Sequence, residues 1–172
     1  MELYRSPYEA YPFLSDPIDD LRCDFELMTD SLSSLTGLLR AKVEDPALRE
    51  ELLWVCELVY HMNPALRTPL NVTREELDRL LAASERYRAE AGDRCRRFVL
   101  CQGCEAACLA HVLRVRAKEL VRLIYRHLHQ GHKADPMLLD LANLLSNYFF
   151  YLSLCLNARA GVDEVEFISR NY

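Results

Sequence analysis

The sequence predicts an all-α protein, a single five-helix up-and-down bundle, and three observations carry that expectation. Apolar residues recur every three or four positions through five long segments, the spacing that gathers them on one helix face. Glycine and proline are scarce, at 5 and 7 of 172 residues. Runs of alternating polarity, the mark of half-buried strands, are few.

Residues 1–16, rich in Tyr and Pro, carry no periodic signal and read as an extended N-terminal arm; residues 17–172 form the bundle. Helix one starts after Pro17 and runs from Leu21 to Val43, with Phe25, Met28, Leu32, Leu35 and Leu39 on its buried face. Helix two opens at Asp45-Pro46, where the carboxylate caps and proline suits the first turn, and ends before Asn63-Pro64. Its apolar residues are Leu52, Leu53, Val55, Cys56 and Val59, and residues 64–72 are a connection. Thr73-Arg74-Glu75-Glu76 has the capping-box pattern and opens helix three, which carries Leu77, Leu80, Leu81 and Ala83 and ends near Gly92. Helix four takes Glu105 to His129 and stops at Gly131. Helix five begins at Asp135-Pro136, carries Leu139, Ala142, Leu145, Phe149, Leu152 and Leu156, and ends at Gly161.

Composition narrows the function. Net charge is −5 and the pI about 5.6, with basic residues scattered among acids, so there is no electrostatic footprint for nucleic acid. The N-terminus lacks the apolar stretch of a signal peptide, and no segment approaches 18 uninterrupted apolar residues; a cytoplasmic protein without a membrane partner is expected. In a reducing compartment the seven cysteines are expected as thiols or metal ligands rather than disulfides. No Ser-His-Asp order, Gly-rich P-loop or paired-carboxylate signature points to a hydrolase, kinase or glycosidase.

The chemical signal lies in Phe98-Val99-Leu100-Cys101-Gln102-Gly103-Cys104 and the helix that follows. His111, Arg114, Lys118 and Arg122 share one face of that helix, while Leu113, Ala117, Leu120 and Ile124 form an apolar stripe opposite. Like charges a turn apart disfavour a helix by roughly 0.2–0.5 kcal/mol per pair, and a polyanion laid against them removes that cost. The stripe is therefore either an anion site or a solvated basic face relieved by Glu119 and nearby acids. Cys101, Cys104, Cys108 and His111, with Cys95 upstream, have the count for a tetrahedral zinc or iron site; they also suit small, semi-buried packing positions. His127, His129 and His132 at the end of helix four read as a solvated cluster on the negative end of the helix dipole. Trp54, Tyr60 and His61 read as packing residues.

Four blocks and a tail resemble the PduO-type ATP:corrinoid adenosyltransferase family. Asp19-Asp20-Leu21-Arg22 through Asp30-Ser31-Leu32-Ser33-Ser34 to Gly37 is similar to D-x-R-V-E-A-Y-G-T-V-D-E-L-N-S-x-x-G. Phe98-Val99-Leu100 resembles F-x-L-P-G-G, with Cys101-Gln102-Gly103 in place of the Pro and Gly residues. The segment from His111 through Arg114, Lys118 and Glu119 to Arg122 is similar to H-x-x-R-x-x-x-R-R-A-E-R, and Asn143 to Phe150 to N-R-L-S-D-Y-L-F. Residues 160–165 resemble the family's tail.

The resemblance implies a homotrimer of five-helix bundles that moves the 5′-deoxyadenosyl group of ATP, taken with Mg²⁺, to reduced cobalamin. A corrinoid reductase or a cobalamin-dependent enzyme is the implied partner. Phe98 falls on the phenylalanine that lies under the corrin ring and keeps the lower axial ligand away, easing reduction of Co(II) to Co(I). Asp30 and Arg114 fall on an ion pair across the subunit interface at the active site; Lys118, Arg122 and Asn143 fall near the ATP triphosphate. Family members begin with a loop of the kind T-K-x-G-D-x-G-x-T, whereas Met1 to Pro17 contains no glycine. Glu119, Val121, Leu144 and Asn147 stand where the family has Arg, Glu, Arg and Asp. These departures keep two other readings open, a non-catalytic corrinoid carrier or sensor and a Cys/His metal-binding helical protein.

Overall fold

The computed structural model describes residues 4–171. Five α-helices lie where the periodicity places them: α1 Leu21–Lys42, α2 Pro46–Met62, α3 Arg74–Ala91, α4 Glu105–His129 and α5 Pro136–Arg159. Local chemistry sets most of their starts. Asp20, Asp45 and Asp135 each accept a backbone N–H two residues on, and Thr73 and Glu76 cap each other reciprocally. Pro46 and Pro136 occupy first-turn positions, where a missing N–H removes no helical bond. A short 3-10 helix, Gly92–Arg96, extends the connection from α3 to α4 beyond what periodicity shows.

The packing follows from the stripes. α2 pairs with α1, α1 with α4, α4 with α5, and α5 with α3. Phe25, Leu32 and Leu39 of α1 meet Leu52, Val55, Leu58 and Met62 of α2, Leu113 and Leu120 of α4, and Leu141, Leu145 and Phe149 of α5 in one buried core. α5 is apolar around most of its circumference and is long and apolar enough by composition to cross a membrane, yet most of that stretch is buried between α3 and α4.

Two polar networks tie the bundle together. Glu51 on α2 accepts from Tyr87 Oη of α3 at 2.8 Å and from the fully buried Tyr148 Oη of α5 at 3.0 Å. Arg86 pairs with the same carboxylate and sets an opposite charge beside it. Across the bundle, Glu26 on α1 is almost fully buried, accepting from Arg67 Nε and from Tyr11 Oη at 2.7 Å. Burial and that bond push the Tyr11 hydroxyl up to about 12.

The Tyr11 contact changes the picture of the N-terminal segment. Residues 7–16 form a string of turns rather than an extended arm, because Tyr11 and Asp16 reach Glu26 and Arg67, whose guanidinium stacks on Phe13 at 3.8 Å. Met1 to Leu3 of the expected arm lie outside the described residues.

Candidate functional site

The chain between α3 and α4 is shaped by residues distant in sequence. Arg94 donates to the Val162 carbonyl at 3.0 Å and Asp163 at 3.2 Å, and pairs with Glu164, fixing the segment that leaves α5. That segment runs antiparallel to residues 98–100: Leu100 N–H donates to Val165 O at 2.9 Å and Phe167 N–H to Phe98 O at 2.7 Å. Phe98 is 76% exposed, its ring 5.7 Å from that of Phe167, with Leu100, Val165 and Ile168 also exposed. Phe98 and Phe167 thus form an exposed apolar shelf where the two segments meet.

The next residues are pinned from below. Asn157 on α5 is fully buried; its Oδ1 accepts from Cys104 N–H at 3.0 Å and its Nδ2 donates to Gln102 O at 3.2 Å. Cys104 makes no side-chain cap for α4, so Asn157 performs that task from the neighbouring helix. Gly103 passes over the Asn157 amide at φ 141°, in the range that favours glycine.

The structure does not gather the cysteines. Cys104 Sγ points to Leu156 O at 3.7 Å and Cys108 Sγ to Gly103 O at 3.6 Å. Cys101 is exposed against Arg114, and His111 turns to Ser153 Oγ at 3.5 Å. Among the described residues no three His, Cys, Asp or Glu side chains converge as metal ligands, so the zinc or iron site expected at Cys101, Cys104, Cys108 and His111 is corrected to dispersed thiols. The physical reason is that the thiols are held by separate partners: Asn157 pins residues 102–104, Cys104 turns to Leu156 O, and Cys101 turns to Arg114.

His111 also leaves the cation stripe, being 3% exposed with Nε2 unpartnered. Burial, and after it the charge of Arg114, pushes its imidazole down from 6.5 to about 4. The unfolded chain therefore takes up a proton below about pH 6.5 that the folded protein takes up only near 4. Stability should be full above the higher value and decline as the pH falls toward the lower, by on the order of 3 kcal/mol from this group. Urea midpoints at about pH 7 and about pH 4.5 should thus differ less in His111→Leu than in the wild type; an unaltered difference counts against His111 as the source.

Arg114, Lys118 and Arg122 remain along one face of α4, the last two exposed. None has a carboxylate at ion-pair distance among the described residues. Glu119 pairs instead with Arg116 at 2.8 Å, so the stripe is not relieved by the acid nearest to it. Arg114 donates to Cys101 Sγ at 3.0 Å and lies 5.6 Å from the Phe150 ring centre. Asp30 does not meet Arg114 within the protomer; it is exposed on α1 and accepts from Tyr60 Oη at 2.7 Å. Tyr60 was expected to pack, and its contact with Asp30 is invisible to periodicity because it joins two helices. Asn143 is exposed and donates to Leu139 O of its own helix at 2.9 Å.

The histidine cluster divides as well. His127 is 4% exposed and stacks on His132 at 4.6 Å rather than lying in solvent; burial, then the neighbouring imidazole, pushes its pKa down.

Fold and site together define a helical-bundle protein with a face of three cations on α4 near exposed Phe98 and Phe167. A family model, Cobalamin adenosyltransferase, matches residues 17–156, and the chain belongs to that family. It is 28% identical over 158 residues to the corrinoid adenosyltransferase of Bacillus subtilis (strain 168), covering 87% of this chain and 81% of that protein. It is also similar to two single-residue variants of a PduO-type ATP:corrinoid adenosyltransferase from Lactobacillus reuteri. One, complexed with cobalamin and ATP, superposes with a TM-score of 0.76 at 20% identity over 87% of each chain. The other, complexed with ATP, gives 0.78 at 22% identity, covering 87% of this chain and 88% of that one.

Proposed function

We propose that this chain is an ATP:corrinoid adenosyltransferase, transferring the 5′-deoxyadenosyl group of ATP to cob(I)alamin. The observation that carries the reading is the set of three cations, Arg114, Lys118 and Arg122, that have no carboxylate partner among the described residues, on the helix that follows Phe98 and its exposed shelf. In the reaction the electron pair of Co(I) attacks C5′ of ATP. A cobalt–carbon bond forms, the C5′–O bond breaks, and triphosphate leaves with the bonding electrons. The protein's task is to place the two substrates and to stabilise charge on the departing triphosphate. Phe98 supplies the apolar surface for the corrin, the three cations receive the phosphates, and Asn143 is placed to hydrogen-bond the nucleotide. Mg²⁺ enters with ATP; Val121 and Asn147 offer no carboxylate, and Glu119 is held by Arg116.

The assembly is proposed as a homotrimer in the cytoplasm, with a corrinoid reductase as electron donor. Asp30 and Arg114 are turned to different partners within the protomer, so their ion pair requires a neighbouring subunit. Leu27 and Leu38 on α1 and Val112 and Val115 on α4 are exposed and offer apolar area for that contact.

One observation favours a second reading, a corrinoid carrier or sensor without transfer: the segment before α1 contains no glycine with which to wrap phosphates. An anaerobic assay with cob(I)alamin, Mg²⁺ and ATP separates the two. Adenosylcobalamin formation above a protein-free control is the expected result, whereas cobalamin binding without product would support the carrier.

A further inference from the structure

We propose that Arg94 is a positioning residue for the corrin shelf: through the buried Glu164 it staples the segment leaving α5 to residues 98–100 and so keeps Phe167 beside Phe98. Its consequence for cobalamin rests on the corrinoid reading given above; the staple itself does not. Among the described residues, two backbone hydrogen bonds join residues 98–100 to 165–167, and a two-stranded pair so short is marginal in water without further support. Arg94 supplies that support from the 3-10 helix, four residues before Phe98. It reaches three successive residues of the other segment: the Val162 carbonyl at 3.0 Å, Asp163 at 3.2 Å, and Glu164.

The three contacts differ in weight. The Asp163 side chain is 97% exposed, and an ion pair in water contributes little. The Glu164 side chain is 8% exposed, with Oε1 buried and unpartnered, so Arg94 is its only counter-charge among the described residues. Without that charge the carboxylate would sit desolvated and unpaired. The least costly response is for the segment to lift into water, carrying Phe167 away from Phe98. The staple also lies behind the shelf. Side chains alternate along a strand, so Val99 points away from Phe98 and Leu100, and it lines a cleft together with Arg94 and Glu164. The paired segments are thus braced on one face while Phe98, Leu100 and Phe167 stay exposed on the other. The α4 cations take no part in these bonds, so the staple acts on the corrinoid side of the site and not on the nucleotide side.

The test pairs hydrogen–deuterium exchange of the intact protein, resolved to the Leu100 and Phe167 amides, with equilibrium binding of cob(II)alamin under nitrogen and of ATP with Mg²⁺. In Arg94→Gln those two amides should exchange about 10- to 100-fold faster than in the wild type, with the amides of α5 around Leu145 unchanged. Cobalamin affinity should fall about 10-fold while ATP affinity stays within about 2-fold. Arg94→Lys, which keeps the charge, should recover most of the loss. Joining Glu164→Gln to Arg94→Gln should be milder than Arg94→Gln alone, because no charge is left buried. Asp163→Asn should leave both readouts within about 2-fold of the wild type, and a large loss there would overturn the assignment to Glu164. Wild-type exchange at Leu100 and Phe167 in Arg94→Gln would overturn the staple. Fast exchange with wild-type cobalamin affinity, or equal losses for cobalamin and ATP, would overturn the positioning role. A wild-type protein that binds no cobalamin would sink the corrinoid reading and this use of the staple with it, and the exchange comparison would still decide the staple.

Discussion

Replacing Arg114 by alanine is expected to lower kcat/KM for adenosylation by on the order of 100- to 1,000-fold, the usual loss when one charge-stabilising donor is removed from a reacting centre. The expectation follows from the stripe. Arg114, Lys118 and Arg122 share a helix face and have no carboxylate partners within the protomer among the described residues; in the proposed trimer the Asp30 pair orients Arg114, and Lys118 and Arg122 meet the leaving triphosphate beside it. Arg114 is the member next to the Phe98 loop, tied to it through Cys101, and so stands nearest the reacting end of the nucleotide in the proposed arrangement. Arg114→Lys should recover only part of the rate, since an ammonium cannot fork across two oxygens. Anaerobic rates with cob(I)alamin, alongside a circular dichroism spectrum to establish folding, provide the check. Unchanged turnover in Arg114→Ala would remove this residue from the mechanism.

Gly103→Ala is expected to cost about 2–5 kcal/mol and to disturb Phe98 as well as the start of α4. A Cβ on Gly103 would lie inside the contact distance of the Asn157 amide, and φ 141° is itself unfavourable for alanine. Asn157 cannot swing away freely, because it is fully buried and bonds both Cys104 N–H and Gln102 O. Urea unfolding of Gly103→Ala, Asn157→Gly and the double variant would separate the causes. If the clash is the main term, the double variant should be much less unstable than the sum of the single changes, by about 1–3 kcal/mol. Strict additivity would mean that backbone strain alone is responsible.

The comparison of sequence with structure divides along the range of the interaction. The start of α1 was read from periodicity, its Asp20 cap coming with the structure, whereas the starts of α2, α3 and α5 were legible because Asp45, Thr73 and Asp135 act within two or three residues of themselves. The α4 cap was not, because its acceptor, Asn157, lies 53 residues away. Long separation in sequence likewise explains why Arg94 with Glu164, and Glu51 with Tyr87 and Tyr148, leave no mark on periodicity. At the candidate site, the cation stripe was visible as a spacing, whereas Phe98 became a candidate only through the family resemblance. Its exposure and its pairing with Phe167 required two chain segments to meet.

His111 shows the limit most clearly. Helical spacing places it among the cations, yet the packing of α4 on α5 sets it against Ser153, and burial keeps it neutral near pH 7. The cysteines show the same limit: 101, 104, 108 and the histidine have a ligand's count but not a ligand's geometry, because count is local and convergence is not. By itself the sequence determined five helices, four of them amphipathic, with most of their ends and a basic face on the fourth, all consequences of periodicity and capping over a few residues. Tertiary structure alone decided which of those side chains face a ligand, which face the core, and which thiol holds Arg114, because each depends on how helices distant in sequence pack against one another.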